Sequence, residues 1–136
     1  MDGKKSINIL KYWLPVFIWC AFIYYLSSIP ELKSDLPNQW DFVARKIAHM
    51  AEYGILTYLF FRASMRDFSP ARSILYSALF SATYALTDEY HQLFVFGRSG
   101  SLKDVFIDGI GIFLAVYLID KKLINVSIKR ENTKKN

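Results

Sequence analysis

The chain has 136 residues, 53% hydrophobic and 17% aromatic, and its 17 Lys and Arg outnumber 12 Asp and Glu for a net charge of +5. That length allows one domain. The single cysteine, Cys20, excludes an intrachain disulfide and a multi-cysteine zinc site, and no G-x-x-x-x-G-K-[ST] run offers a phosphate loop.

Four apolar stretches approach the roughly 20 residues that a bilayer requires. They run from about Tyr12 to Ser28, Lys46 to Phe61, Ile74 to Tyr90 and Val105 to Ile119. Pro30, Pro37, Ser69-Pro70, Gly97 and Gly100 punctuate the connectors. The expected fold is all-α, a bundle of four transmembrane helices. Residues 1–11 form a cytoplasmic N-terminal segment, 12–120 the membrane domain and 121–136 a basic, loosely ordered cytoplasmic tail. A soluble four-helix bundle is the competing architecture, but FIWCAFIYYL and ILTYLFF have no charged outer face.

Twelve of the 17 Lys and Arg lie at the N-terminus (Lys4, Lys5, Lys11), in the middle connector (Arg62, Arg66, Arg72) and in the tail beyond Asp120. The positive-inside rule therefore places both termini in the cytoplasm and the connectors 31–45 and 91–103 outside. The basic balance is explained by a membrane surface. With no Lys/Arg stripe along a soluble helix, no nucleic acid partner is expected.

With that topology, His49 lies above Glu52 on helix two and His91 above Asp88 on helix three, about 4.5 Å apart along each axis. Helix four brings Asp104 and Asp108 into the same outer half. By helical phase, Arg45, His49 and Glu52 share one face of helix two, and Ser77, Ser81, Tyr84, Asp88, His91 and Gln92 one face of helix three. Asp104, Asp108, Gly111 and Ala115 align on helix four, where Gly111-x-x-x-Ala115 permits close helix approach. Lipid-facing carboxylates cost several kcal/mol, so these polar stripes should meet in one outward-opening pocket.

The runs Arg45-Lys46-x-x-His49-x-x-Glu52-Tyr53, Asp88-Glu89-x-His91-Gln92-x-Phe94, Gly97-Arg98-Ser99-Gly100 and Asp104-x-x-x-Asp108-x-x-Gly111 resemble the VanZ-like family of small bacterial membrane proteins. Tyr25-Leu26-Ser27-Ser28 resembles its opening signature, and the likeness extends over about residues 10 to 120. Asp108 stands where relatives often carry Asn. The resemblance implies a four-helix integral membrane protein of the cell envelope, in a family whose founding member is associated with reduced susceptibility to teicoplanin.

The expected function is binding, and modification, of a lipid-linked or lipid headgroup substrate at the outer leaflet. A proton-coupled transporter or flippase and a non-catalytic structural component are the alternatives. His49, Glu52, Asp88 and His91 are the candidate acid/base groups; their structural alternative is a hydrogen-bonded clamp between helices. Arg45, Tyr53, Glu89, Gln92, Arg98, Ser99, Asp104 and Asp108 are candidate substrate-binding groups. Glu89 stands about 100° off the shared face, where a capping or solvent-facing role competes. Ser101-x-x-Asp104 reads equally as a capping box. Arg98 reads as a clamp for an anionic headgroup or as a salt bridge to Asp88 or Asp104, and Ser99 as a turn serine. No H-E-x-x-H or H-x-x-x-H spacing is present, so no metal is assigned, and no cofactor is identified. Trp13, Trp19, Tyr24 and Tyr25 are expected at lipid-facing or interfacial surface. Membrane lipids, with a lipid-linked cell-wall intermediate or a glycopeptide, are the expected partners.

Overall fold

Prolines set two of the helix starts. Pro37 accepts the Trp40 and Asp41 amides through its carbonyl at 2.8 and 3.0 Å, and Pro70 opens its helix behind an extended Ser69, where a missing N–H costs nothing. The computed structural model describes residues 3–30, 37–98 and 100–135. Among them are four α-helices and no strand: α1 Gly3–Ser28, α2 Asn38–Ser64, α3 Pro70–Gln92 and α4 Leu102–Lys135. Residues 31–36 of the connector between α1 and α2, and Ser99, lie outside the described residues.

Two boundaries differ from the hydropathy reading. α2 starts well before Lys46, because its first turns are held by a 3.1 Å Asp41–Arg45 pair one turn apart and need no apolar residues. The tail expected to be loosely ordered instead prolongs α4 to Lys135. Among the described residues one helix, Leu10–Ser28, is long and apolar enough to cross a membrane on length and composition alone. In α2, α3 and α4 the ionisable residues lower the apolarity of the stretches that hold them.

α2 packs against each of the other helices, α3 and α4 also touch, and α1 lies against α2 and α3 without reaching α4. Val16, Ile23, Tyr53, Leu56, Ala63, Ala85 and Ile112 form the apolar core. The α2–α3 seam is built from small polar residues. Ser73, Ser77, Ser81 and Ala85 recur every fourth position and are all buried, and Thr57 Oγ1 donates to Ser81 Oγ at 3.0 Å. Such residues let helix backbones approach; Ser77 Oγ donates to the Ile74 carbonyl at 2.9 Å, whereas the buried Ser73 hydroxyl has no partner. At the α2–α4 crossing, a Cβ on Gly111 would collide with the Met50 carbonyl, and one on Gly54 would stand 3.2 Å from the Gly111 oxygen.

Aromatic donors tie α1 to the rest. Trp19 Nε1 donates to the Glu52 carbonyl at 2.9 Å, and Tyr84 OH to the Cys20 carbonyl at 2.7 Å. Trp13 meets Phe60 edge to face. Trp13 and Trp19, expected to face lipid, therefore pack on the core; the indole N–H is better satisfied by a buried carbonyl than by hydrocarbon. Tyr25 remains exposed.

The polarity of the bundle is reversed relative to a water-soluble one. Asp108, Thr57, Ser73, Ser77 and Ser81 are completely buried, whereas Phe17, Phe106 and Phe113 are each at least 67% exposed.

Candidate functional site

The C-terminal ends of α1 and α3 and the N-terminal halves of α2 and α4 meet at one end of the bundle, and the buried carboxylates Asp41, Asp88, Glu89 and Asp108 collect there. A cavity of about 40 Å³ is lined by Ser27, Arg45, His49, Glu52, Asp88, Gln92 and Arg98, with Ile23, Leu26 and Ala48. A recess of about 170 Å³, lined by Phe42, Arg45, Lys46, His49, Gln92, Gly97, Arg98 and Asp104, shares four of those residues. His49, Glu52 and Asp88 thus converge, as do Arg45, Gln92, Arg98 and Asp104.

The pairings within this end differ from the vertical stacks read along each helix. His49 turns to α4, with Nδ1 3.1 Å from Asp108 Oδ1, and does not pair with Glu52 on its own helix. Residues three apart point along the helix surface, but a side chain on a neighbouring helix reaches into the same space. Asp88 Oδ2 accepts from Gln92 Nε2 at 3.3 Å. His91 leaves the cluster. Its Nε2 is 3.1 Å from Ser28 Oγ, and the Tyr24 ring lies against its ring, tilted by 31° with centroids 4.6 Å apart, so Tyr24 is a cover for His91 as well as surface. Helical phase alone could not show this, because α1 claims the edge of α3 that carries His91.

Glu89 corrects the solvent-facing alternative. It is buried, and its Oε2 accepts the Ser101 amide at 2.8 Å. α3 is packed on by α1, α2 and α4, so more than one of its faces is inside. That contact also replaces the capping box. The Ser101 amide goes to Glu89, Ser101 Oγ accepts the Lys103 amide at 3.1 Å, and the Asp104 carboxylate forms an ion pair with Lys46. Lys46 also lies over the Phe42 ring at 5.1 Å.

Arg98 makes neither expected salt bridge. Its Nε donates to the Ile29 carbonyl at 3.2 Å and its Nη2 to the Leu26 carbonyl at 2.7 Å. A cationic fork on the last carbonyls of a helix is favourable in hydrogen bonding and in dipole sense. Gly97, with φ 73°, makes the left-handed turn that delivers Arg98 to this position. Tyr53 is fully buried, its hydroxyl on the Asp88 side.

Of the Tyr25-Leu26-Ser27-Ser28 run, Ser27 lines the cavity, while Ser28 holds His91 away from it. His49, Glu89 and Asp108 each place one donor atom within 4.8 Å of the others, a combination that no single-helix spacing could show. Chemically, this end offers carboxylates able to exchange protons, an imidazole between them and cationic groups at the rim.

A four-helix all-α protein with ionisable groups buried at one end and an apolar exterior is the class defined by these features. The VanZ/LLP1 family model matches residues 7–124, and the chain belongs to that family. It is 37% identical over 82 residues to the uncharacterized membrane protein YwnJ of Bacillus subtilis (strain 168), an alignment that covers 57% of this chain and 51% of that protein. The chain thus spans about half the length of this curated relative. No solved structure matches.

Proposed function

We propose that the chain is a four-span membrane protein of the cell envelope, with both termini cytoplasmic, that binds the polar headgroup of a lipid or lipid-linked substrate in the recess between α2, α3 and α4. The observation that carries this reading is the reversed polarity of the bundle: carboxylates and hydroxyls inside, large apolar side chains outside. Hydrocarbon stabilises that distribution and water does not. By 1.5 Å per residue, the 27 residues of α2 and 23 of α3 extend about 40 and 34 Å, enough for a hydrocarbon core of about 30 Å.

The sidedness rests on charge. Arg62 and Arg66, both over the Tyr12 ring at 5.5 and 4.8 Å, mark the end opposite the recess, and the positive-inside rule puts that end in the cytoplasm. The recess then opens towards the outer leaflet. Lys46 and Arg98 at its rim suit an anionic headgroup, and Glu52 and Asp88 below them suit proton transfer to or from it. A part in teicoplanin resistance follows from the family alone.

Native mass spectrometry of the detergent-extracted protein tests the binding. An anionic lipid or lipid-linked intermediate should remain on the folded chain and be depleted in Arg98→Ala and Lys46→Ala. Equal retention by both variants would remove the headgroup reading.

A further inference from the structure

We propose that His49, Glu89 and Asp108 form a binding site for one divalent transition cation, with Zn²⁺ as its best-fitting probe. One donor atom from each lies within 4.8 Å of the other two. The donors come from α2, α3 and α4, so folding assembles the site.

Two leftover atoms point to a ligand. Asp108 is completely buried, and after Oδ1 meets His49 its Oδ2 has no hydrogen-bond partner. Glu89 is 5% exposed, and after Oε2 accepts the Ser101 amide its Oε1 has none either. A buried carboxylate oxygen without a partner is costly, and here two belong to neighbouring side chains. Among the described residues no Lys or Arg forms an ion pair with either carboxylate: Lys46 is held by Asp104 and Arg45 by Asp41. A dication would neutralise both carboxylates at once.

The donor set selects the class of ion. An imidazole nitrogen with carboxylate oxygens suits Zn²⁺ and its first-row neighbours, whereas Mg²⁺ and Ca²⁺ prefer oxygen alone. Two donors each about 2.1 Å from one ion lie about 3.0–3.4 Å apart. The 3.1 Å between His49 Nδ1 and Asp108 Oδ1 already has that spacing, and the Glu89 donor, within 4.8 Å of the other two, has at most about 1–2 Å to close. Three protein ligands leave a position open for water or a substrate oxygen, and His49, which borders both the cavity and the recess, gives the ion its way in. The inference does not depend on the lipid reading, because metal uptake needs no substrate.

The test uses the full chain in detergent, stripped with a chelator and titrated with Zn²⁺ by calorimetry, with bound metal counted by elemental analysis. One Zn²⁺ per folded chain is expected. Glu89→Gln keeps an acceptor for the Ser101 amide, and Asp108→Asn keeps one for His49. Each should weaken Zn²⁺ binding by about a hundredfold or more, since loss of even an outer partner costs about 10–100-fold. Glu52→Gln, a nearby carboxylate outside the set, should change it by less than about tenfold. Should Asp108→Asn fail to fold, Glu89→Gln decides. A shared proton would satisfy the same oxygens, so a folded wild-type chain that takes up no stoichiometric Zn²⁺ overturns the site. Equal binding by wild type and Glu89→Gln, or an equal loss in Glu52→Gln, overturns it too.

Discussion

His49 of α2 and Asp108 of α4 meet across the helix interface, Nδ1 to Oδ1 at 3.1 Å, and they are unequally buried: the His49 side chain keeps 14% of its exposure and Asp108 none. The two halves of this pair should therefore not cost the same to remove. In chelator-treated protein, His49→Leu strands a carboxylate with no route to water and should destabilise by about 3 kcal/mol or more, the range for breaking a buried pair. Asp108→Leu leaves an imidazole that can become neutral, and should cost less. The double variant should be more stable than the sum of the singles, by thermal unfolding in detergent; strict additivity would mean that the pair is not coupled.

A second expectation concerns the α2–α4 crossing. A methyl on Gly111 would run into the Met50 backbone, while one on Gly109 would meet nothing within 4 Å. Gly111→Ala should lower stability by about 1–3 kcal/mol, as overpacking does. Gly109→Ala should be neutral or stabilise by up to about 1 kcal/mol, because alanine is the better helix residue. Equal melting temperatures for the two variants would show that the helices can separate without penalty.

The contrast between those glycines marks what was legible beforehand. Gly111 was readable from its spacing to Ala115, because a small residue every fourth position on an apolar helix has one main use. The four helices were readable from apolar runs, and convergence of His49, Glu52 and Asp88 from phase and depth. Partner choice was not. His49 takes Asp108, His91 takes Ser28 and Glu89 takes the Ser101 amide, and each depends on the rotation of one helix against another. Periodicity along a single helix has no access to that rotation. The early start of α2 was hidden because helix formation there rests on an Asp41–Arg45 pair, which a search for apolar length passes over.

Arg98 provides a test that separates structure from binding. Its guanidinium reaches the Leu26 and Ile29 carbonyls at once, and a lysine ammonium on a single stem cannot span both. Arg98→Lys should lose one charged hydrogen bond, about 1.5–3 kcal/mol. A group used only for substrate would leave the melting temperature unchanged.

Topology is open to a direct measurement in a Cys20→Ala background. Phe96 in the α3–α4 connector is 78% exposed and Phe68 in the α2–α3 connector 42% exposed, so a cysteine at either position is accessible to a reagent on its own side of the membrane. An impermeant maleimide on intact cells should label Phe96→Cys and leave Phe68→Cys unlabelled until the membrane is opened. The reverse pattern would turn the recess towards the cytoplasm and end its assignment to the outer leaflet.

The last expectation concerns Glu52 and Asp88, which line one small cavity beneath Arg98. Glu52→Gln and Asp88→Asn keep size and most hydrogen-bonding capacity and remove the exchangeable proton. If the carboxylates do acid/base work, each variant should lose about a hundredfold or more of activity while remaining inserted and folded. If they only hold helices, function should follow melting temperature, and the amides should be as stable as the parent or more so, since a buried carboxylate is costly to desolvate. Teicoplanin susceptibility of a sensitive host at matched expression is the readout that the family suggests. If the chain protects such a host, loss of protection with unchanged expression and melting temperature is expected. Full protection by both variants would exclude proton transfer at this cavity and leave headgroup binding as its role.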